Sequence, residues 1–306
     1  MAICVFGSIN IDLTTYGAKL PRPGESLHGE RYAIGLGGKG CNQAVAASRL
    51  GSKTDLIGRI GRDAFGDTAL SALRRLNVPT GGVFVDPGSD TGVAVIGVDA
   101  AAENCITVIG GANMAIDETD VARAKPTLER SDVLLLQLEI PLAAGLAAAD
   151  IVRGNGGRVI LDPAPAPQGG LDGSVLSRID VITPNETETE ILTAVRPTDV
   201  EQASKAAARI RAEGVAMAVI KLGADGVYFQ DEDGDGFVPP FVVDSVDSVA
   251  AGDCFNGGLA HALAEGRTLA DAVRFAAACG ALSTTTPGAS QSAPALADVM
   301  ALLADR

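Results

Sequence analysis

An acidic residue beside a turn of small residues is the feature of this sequence best suited to catalysis. Asp253 directly follows the small residues 250–252, and an apolar helical run is predicted over 255–264. The start of a helix leaves N–H groups unpaired, and together with the helix dipole these bind anions such as phosphate. A carboxylate beside them could deprotonate a hydroxyl group while they hold the phosphoryl group under attack. The alternative is an acidic residue that only stabilises a helix start.

A glycine-rich stretch, residues 35–43, precedes a second predicted helix over 44–50. Its glycines fit the G-x-G-x-x-G pattern of dinucleotide sites, but the residues before them are polar rather than a buried strand. A Walker A phosphate loop is excluded, because Lys39 is followed by glycine instead of serine or threonine. A polyhydroxyl ligand fits better, since glycines let the backbone approach it and Lys39 and Asn42 supply donors. A purely structural turn into the helix is the alternative.

Polar residues that follow apolar strands are candidate ligand contacts. Asn10 and Asp12 follow the first apolar run and, as alternate residues of an extended segment, face the same way. Glu139 lies just past the apolar run 133–137. Amide and carboxylate groups of this kind suit the hydroxyls of a sugar. Each residue taken alone is also typical of a solvated loop.

Two further strand ends could contact a nucleotide and its metal ion. Asn185 and Glu188 follow an apolar strand and, three positions apart, share one face if a helix begins there. Their oxygens suit magnesium, which keeps several waters and binds through substrate phosphates. A capping box formed by Thr183 and Glu186 is the alternative. The stretch 221–226 ends another strand with two glycines, where a nucleotide could pass close to the backbone.

Composition limits the classes of function. The 306 residues carry a formal net charge of −14, which argues against a nucleic-acid partner because phosphate backbones bind basic surfaces. Five scattered cysteines without a Cys-x-x-Cys pattern indicate reduced thiols in a cytoplasmic protein. No apolar run reaches the roughly 18 residues of a membrane helix, so no membrane partner is expected. Two histidines are too few for a zinc site or a Ser-His-Asp triad, which leaves carboxylates, backbone donors and a metal for catalysis.

The order of the predicted elements indicates an α/β fold. Short apolar strands alternate with helical stretches, as in a mostly parallel sheet with helices on both faces. Residues 13–34 and 92–109 interrupt this alternation, and we expect them to form a small β lid over the site. The acidic stretch 231–236 lacks the downstream glutamate of an EF-hand and is predicted to be a hairpin turn. Because no linker or internal repeat is evident, residues 1–306 are predicted to form one domain.

Taken together, these stretches resemble the ribokinase-like family of sugar and nucleoside kinases. Its two signatures are similar to residues 37–44, GGKGCNQA, and 251–257, AGDCFNG. Further similar stretches are 21–25 (PRPGE), 111–113 (GAN), 162–166 (DPAPA) and 183–188 (TPNETE). The resemblance extends over nearly the whole chain, from Ile3 to about Pro294.

The resemblance implies an ATP-dependent sugar kinase in which Asp253 is the general base and the anion hole is formed by Ala250, Ala251 and Gly252. It implies sugar contacts from Asn10, Asp12, Gly38, Lys39, Gly40, Asn42, Glu139 and Asp253. It implies nucleotide contacts from Asn185, Lys221, Gly223, Ala224, Asp225, Gly226, Gly252 and Ala277. It also implies magnesium held by Asn185 and Glu188, largely through water, and an activating potassium ion near Asp247, Val249, Ser283, Thr286, Gly288 and Ser292.

The reaction expected from this resemblance is phosphorylation of D-ribose at O5, with ATP as co-substrate and Mg²⁺ and K⁺ as cations. The alternatives are the same chemistry on another sugar or a nucleoside, and a sugar or nucleotide sensor without turnover. Asp253, Gly252 and Lys39 argue against the sensor, which has no need of a base. Lys221 departs from the family, where threonine or serine is common. An exposed face or edge on the small sheet would favour a homodimer.

Overall fold

The computed structural model describes residues 1–101 and 103–304; Ala102, within the predicted 92–109 segment, and the terminal Asp305 and Arg306 lie outside the described part. The strands are β1 (Ala2–Phe6), β2 (Asn10–Tyr16), β3 (Arg31–Gly37), β4 (Lys53–Gly61), β5 (Val83–Asp86), β6 (Gly92–Val98), β7 (Asn104–Ile109), β8 (Val133–Leu136), β9 (Arg158–Leu161), β10 (Val181–Ile182), β11 (Met217–Lys221), β12 (Val227–Gln230) and β13 (Asp235–Val238). The helices are α1 (Lys39–Arg49), α2 (Ala64–Arg75), α3 (Glu118–Leu128), α4 (Leu142–Gly154), α5 (Gly173–Leu176), α6 (Glu186–Thr193), α7 (Val200–Ala212), α8 (Ala251–Ala264), α9 (Leu269–Ser283) and α10 (Leu296–Ala304).

The central sheet has nine strands in the order β13-β12-β11-β10-β9-β8-β1-β4-β5. Every neighbouring pair from β11 to β5 is parallel, and β12 and β13 extend the sheet as an antiparallel hairpin. The predicted parallel α/β sheet is therefore confirmed, and the acidic stretch 231–236 contains the turn between β12 and β13. The strand order reverses between β1 and β8, and in such sheets ligands bind beyond the carboxyl ends of the strands at this point.

Helices cover both faces of the central sheet. Ile3 and Val5 of β1 face a layer made by α1, α2, α8, α9 and α10, whereas Cys4 and Phe6 face α3, α4, α5 and α7. All four side chains are fully buried. Because a strand buried on both sides has no polar face, β1 appears in the sequence as a continuous apolar run. Within the described part of the chain, no helix is both long and apolar enough to cross a membrane.

A separate four-stranded sheet, the small sheet, has the order β3-β2-β6-β7. Its strand β2 pairs antiparallel with β3 and parallel with β6, which in turn pairs antiparallel with β7. The two β-rich segments thus come together as expected, but their bounds differ. Strand β2 begins at Asn10, and β3 continues through Gly37 because residues 31–37 pair along the whole length of β2. The first three of the nine residues in the glycine-rich stretch therefore belong to a strand, and Gly38 alone separates this strand from α1.

Candidate active site

Asp253 lies in the first turn of α8 and is 95% buried, since only 5% of its surface is exposed. Its two carboxylate oxygens accept hydrogen bonds from different side chains of α1, Oδ2 from Asn42 Nδ2 at 2.9 Å and Oδ1 from Gln43 Nε2 at 3.1 Å. Burial raises the pKa of Asp253 to about 6, although the charge of Lys39 and these two donors oppose the rise. The carboxylate is consequently fixed in orientation and is a stronger base than an exposed aspartate.

The backbone at the start of α8 determines which N–H groups beside Asp253 are free to bind an anion. Helix α8 begins at Ala251, four residues before the predicted run, and its N-cap Ala250 has a left-handed φ of 61°. The N–H of Ala251 donates to the Ser248 carbonyl at 3.2 Å and is not available to a ligand. Among the residues that the structure describes, the N–H groups of Ala250, Gly252 and Asp253 have no acceptor. These three donors and the dipole of a 14-residue helix are available to an anion at this end of α8.

Glu139 connects the start of α1 to the end of β1. Its Oε2 accepts from the Ser8 hydroxyl at 2.5 Å and from the Lys39 backbone N–H at 3.1 Å. Gly38, the N-cap of α1, has a φ of 88°, which a residue with a side chain rarely adopts. Burial would lower the pKa of the Lys39 ammonium, but the surrounding carboxylates, Asp253 first among them, raise it above its usual value. Lys39 is therefore a permanent cation beside the base, and Gly40 follows it in the first turn.

Asn10 and Asp12 reach this region from β2. The Oδ1 of Asn10 accepts from Asn113 Nδ2 at 2.7 Å, and Asn113 is itself held by the backbone of Ile9. Burial, followed by the charges of Glu139 and Asp253, raises the pKa of Asp12 to about 6. The backbone of Asp12 pairs within the small sheet, but its carboxyl group has no hydrogen-bond partner among the described residues and is therefore available to a ligand hydroxyl.

A buried hydrogen-bond network connects the base to strands in the middle of the sheet. Gln43 Nε2 donates to Asp162 Oδ2 as well as to Asp253, both at 3.1 Å, and Gln43 Oε1 accepts from Gln137 at 2.7 Å. Asp162 follows β9 and pairs with Lys221 at the end of β11, where Nζ lies 3.2 Å from Oδ1. Roles for Gln43, Gln137 and Asp162 were not predicted. Gln43 and Asp162 lie in the stretches 37–44 and 162–166 that resemble the family, and this resemblance could have identified them.

A cavity of about 660 Å³ extends from Asp253 across the carboxyl ends of β10 and β11. Its walls include most of the expected nucleotide contacts: Asn185, Lys221, Gly223, Ala224, Gly226, Gly252 and Ala277. Asp225 is exposed and does not line the cavity. A second cavity of about 680 Å³ is lined by residues at the opposite ends of the strands, such as Arg158 and Met217, and contains none of the predicted site residues. The first cavity has the volume of a cofactor site and opens onto the base.

Asn185 and Glu188 form the cap of α6. Asn185 Oδ1 accepts from the Glu188 N–H at 2.9 Å, and Glu188 Oε2 accepts from the Asn185 N–H at 2.9 Å. The alternative pair, Thr183 with Glu186, makes no capping box; the Thr183 hydroxyl donates to Asn256 instead. Burial raises the pKa of Glu188. Because each carboxylate oxygen already accepts one hydrogen bond and keeps one lone pair, the pair fits magnesium held through water better than direct ligation.

The segments expected near potassium lie against each other. Asp247 Oδ1 accepts from the Val249 N–H at 3.0 Å, and Oδ2 accepts from the Gly288 N–H at 2.8 Å. The hydroxyls of Ser283 and Ser292 are buried and donate to carbonyls of their own segments, while Thr286 is exposed. Carbonyl and hydroxyl oxygens of these loops could hold a monovalent cation. Ser290, in the same segment, donates to Asn42 Oδ1 at 2.6 Å and so connects the loops to the base.

Several known proteins are similar to this chain in sequence and in fold. Residues 2–296 match the pfkB family of carbohydrate kinases. The chain is 41% identical over 301 residues to "Ribokinase" of Haemophilus influenzae, covering 98% of both chains. It is 37% identical over 297 residues to "Deoxyribokinase" of Salmonella typhi, covering 97% of this chain and 96% of that one. Ribokinase of Arabidopsis thaliana, solved in complex with ribose and ATP, superposes with a TM-score of 0.91 at 31% identity over 98% of both chains. Ribokinase of Thermotoga maritima superposes with a TM-score of 0.90 at 36% identity over 99% of both chains.

Proposed function

This chain belongs to the pfkB family of carbohydrate kinases, and from that membership we propose that it transfers the γ-phosphoryl group of ATP to O5 of D-ribose. The observation that carries the proposal is the buried Asp253 carboxylate, which is fixed through both oxygens at the helix end where the cavity begins. The relative solved with ribose and ATP shares this fold over 98% of its length. The enzyme is an ATP-dependent carbohydrate kinase, and its product is D-ribose 5-phosphate.

In the proposed reaction Asp253 takes the proton of the sugar hydroxyl as the oxygen attacks the γ-phosphorus. The bond from that phosphorus to the β–γ bridging oxygen breaks, and its electron pair leaves with ADP. The N–H groups of Gly252 and Asp253 donate to the oxygens of the transferring group. Since such transition states are loose, holding the reactants in line contributes most of the acceleration. Magnesium, held through water by Glu188 and Asn185, would neutralise charge on the phosphates.

Sugar recognition is proposed to involve the polar residues that surround the base. Asp12 has a free carboxyl group, Asn10 is fixed by Asn113, and Glu139 fixes the backbone of Lys39. A buried polar group that finds a hydrogen-bond partner only in the ligand stays unpaired when the sugar lacks the matching hydroxyl. Such groups therefore discriminate against sugars without that hydroxyl. The remaining contacts are proposed for Gly38, Gly40 and Asn42, which form the first turn of α1 and its cap.

Three further properties belong to the proposal. Potassium is an activator, supported by the contacts that join the Asp247 loop to the segment after α9. The cytoplasm is the site of action, supported by five cysteines that are all free thiols. The small sheet is a lid over the sugar within a single domain, supported by Asn10 and Asp12 on one of its strands. The same sheet joins two copies of the chain, supported by its exposed apolar side chains.

The decisive experiment measures ADP release with a panel of acceptors in potassium and in sodium salts. D-ribose, 2-deoxy-D-ribose, fructose, glucose and adenosine cover the sugar and nucleoside alternatives. We expect the highest kcat/KM with D-ribose and a slower reaction when sodium replaces potassium. A preference for 2-deoxyribose or adenosine would overturn ribose as the substrate, and equal rates in both salts would remove the potassium proposal. Ligand binding without ADP release from any acceptor would favour the sensor.

A further inference from the structure

Lys221 places a positive charge beside the anion-binding end of α8. A Cβ built on Gly252 would lie 3.5 Å from the Lys221 ammonium nitrogen, so this ammonium borders the free N–H groups at the start of α8. The side chain is only 13% exposed, and it lines the same cavity as Gly252 and Asp253. Lys221 therefore approaches the position where the proposed function requires the γ-phosphoryl group to be.

The cavity around this position is otherwise acidic. Its walls carry the carboxylates of Asp162, Glu186, Glu188 and Asp253, while its cationic side chains, within the part of the chain that the structure describes, are those of Lys39 and Lys221. A nucleoside triphosphate brings several more negative charges into this site. Without compensating cations the charges would repel each other strongly in a partly desolvated cavity.

The ammonium of Lys221 has unused donor capacity. A lysine has three N–H bonds, and among the described residues its sole acceptor is Asp162 Oδ1 at 3.2 Å. Two donors are left for a ligand. Asp162 is 2% exposed and is held on its other oxygen by Gln43, so it can fix the direction of the lysine side chain.

We propose that Lys221 is a catalytic residue that donates to a non-bridging oxygen of the transferring γ-phosphoryl group, and that Asp162 positions it. The ammonium keeps its proton throughout, and the proton released in the reaction goes to Asp253. As the bond to ADP breaks, charge develops on the phosphoryl oxygens and the leaving oxygen, where a fixed cation stabilises the transition state more than bound ATP. The inference rests on the proposed phosphoryl transfer but not on the identity of the sugar.

Gln43 connects the pair of Lys221 and Asp162 to the base Asp253. Its amide donates to Asp162 and to Asp253, so the residue that fixes the cation and the residue that accepts the proton share one donor. A shift of Asp162 would therefore disturb both. For this reason the test must separate loss of the Lys221 charge from the effect of a buried, unpaired Asp162.

The experiment compares K221M, K221R and the double variant K221M/D162N with the wild-type chain and with K205M. Lys205 is a matched control, because it also pairs with a carboxylate, Glu201 at 2.7 Å, but lies on the surface. We expect K221M to lower kcat by about 10²–10³-fold with a KM for ATP within about threefold of wild type. K221R should retain more activity than K221M, since it keeps the charge, and K205M should be unaffected.

The double variant decides between a catalytic and a structural role. If Lys221 only neutralises Asp162, the neutral pair Met and Asn should restore kcat, and this restoration would overturn the proposal. If Lys221 acts on the phosphoryl group, the double variant stays as slow as K221M. An undiminished kcat in a folded K221M, verified by its melting temperature, would overturn it as well. Should the wild-type chain prefer another sugar, that result counts against ribose alone, and the variants are compared with the preferred sugar.

Discussion

At the scale of single residues, the site depends on how completely the base is held. Asn42 and Gln43 each fix one oxygen of Asp253, and Ser290 and Gln137 in turn fix these two amides. A carboxylate held in this way needs little reorganisation when the sugar hydroxyl gives up its proton, which is how preorganised polar groups lower a barrier. Neighbouring residues therefore affect the rate through the orientation of Asp253.

Replacing the base tests its role directly. In Asp253→Asn the side chain keeps its size and can still accept one hydrogen bond, but it cannot take a proton. We expect kcat to fall by about 10²–10⁴-fold, the usual contribution of a positioned base, while ATP and ribose still bind. Steady-state ADP release and calorimetric binding measure the two properties. A purified variant with near-normal turnover would exclude Asp253 as the base.

The raised pKa of Asp253 predicts an acidic limb in the pH profile. Its folded-state pKa of about 6 lies above the ordinary value of 3.8 because burial disfavours the charge. The ionised form is the active one, so kcat/KM should rise with pH through about 6 and level off above about 7. Initial rates between pH 5 and 8 at constant ionic strength measure this. A flat profile across that range would show that ionisation of Asp253 does not limit the reaction.

Local motifs predict part of this site, and the remainder depends on the strand order. Asp253, Lys39 and Asn42 stand in short stretches whose residue types already suggest their chemistry. The contact of Gln43 with Asp253 instead spans 210 positions. Lys221 meets Asp162 because β10 alone separates β9 from β11, a neighbourhood that no local pattern encodes. The same limit explains why Thr183 and Glu186 do not form the capping box that the sequence allows. Thr183 instead donates a hydrogen bond to Asn256, which is distant in the sequence.

At the scale of elements, the site depends on the close packing of α1 against α8. The two helices carry the two halves of the base network, Asn42 and Gln43 on one and Asp253 on the other. Gly257 lets them approach: a Cβ there would lie 2.6 Å from Ala46 Cβ and 3.0 Å from the Ala47 nitrogen. The distance between these helices therefore sets the hydrogen bonds to the carboxylate.

Adding one methyl group between these helices should disturb the base. We expect Gly257→Ala to lower the free energy of unfolding by about 1–3 kcal/mol, because backbone atoms must move to accommodate it, and to reduce kcat. Gly154→Ala is the matched control, since a Cβ at this helix position meets no atom within 4 Å. Denaturant unfolding and ADP release measure both effects. Unchanged stability and kcat in Gly257→Ala would contradict this account of the α1–α8 contact.

The small sheet should respond to the sugar if it is a lid. Strand β2 carries Asn10 and Asp12, and closing it over the sugar would exclude water, which competes for the phosphoryl group. We expect strands β2, β3, β6 and β7 to gain protection from hydrogen exchange on adding ribose. Strands β8 and β9 are the internal control and should change little. Protection confined to the central sheet would contradict the assignment of a lid.

At the scale of the whole molecule, one face of the small sheet lacks cover in the single chain. Its register places Ile34, Val95 and Ile109 on the same side, with 50%, 40% and 51% of their surfaces exposed. Tyr32 lies on that side too and is 70% exposed. A contiguous apolar patch on a sheet is typical of an interface, and the partner proposed above is a second copy of the chain, which would present the same patch through two-fold symmetry.

A charge on this patch should separate the two copies. We expect sedimentation to give the wild-type chain a mass twice its 30.9 kDa, and Ile34→Lys the mass of one chain, because a buried unpaired ammonium is costly. Val85→Lys is the control: Val85 is 46% exposed but belongs to β5 of the central sheet. A monomeric wild-type chain, or an Ile34→Lys variant that remains dimeric, would contradict the proposed interface.

The hydrogen bond from Ser290 to Asn42 has a consequence for the synthesis of the protein. The polar residues around the base come from both ends of the chain, from Asn10 on β2 to Ser290 just before the last helix. While a ribosome is still adding residues, the N-terminal strands can form, but the helix that carries Asp253 and the segment that steadies Asn42 are missing. A nascent chain that has not yet reached Ser290 therefore lacks the complete hydrogen-bond network of the base, and we expect it to consume no ATP.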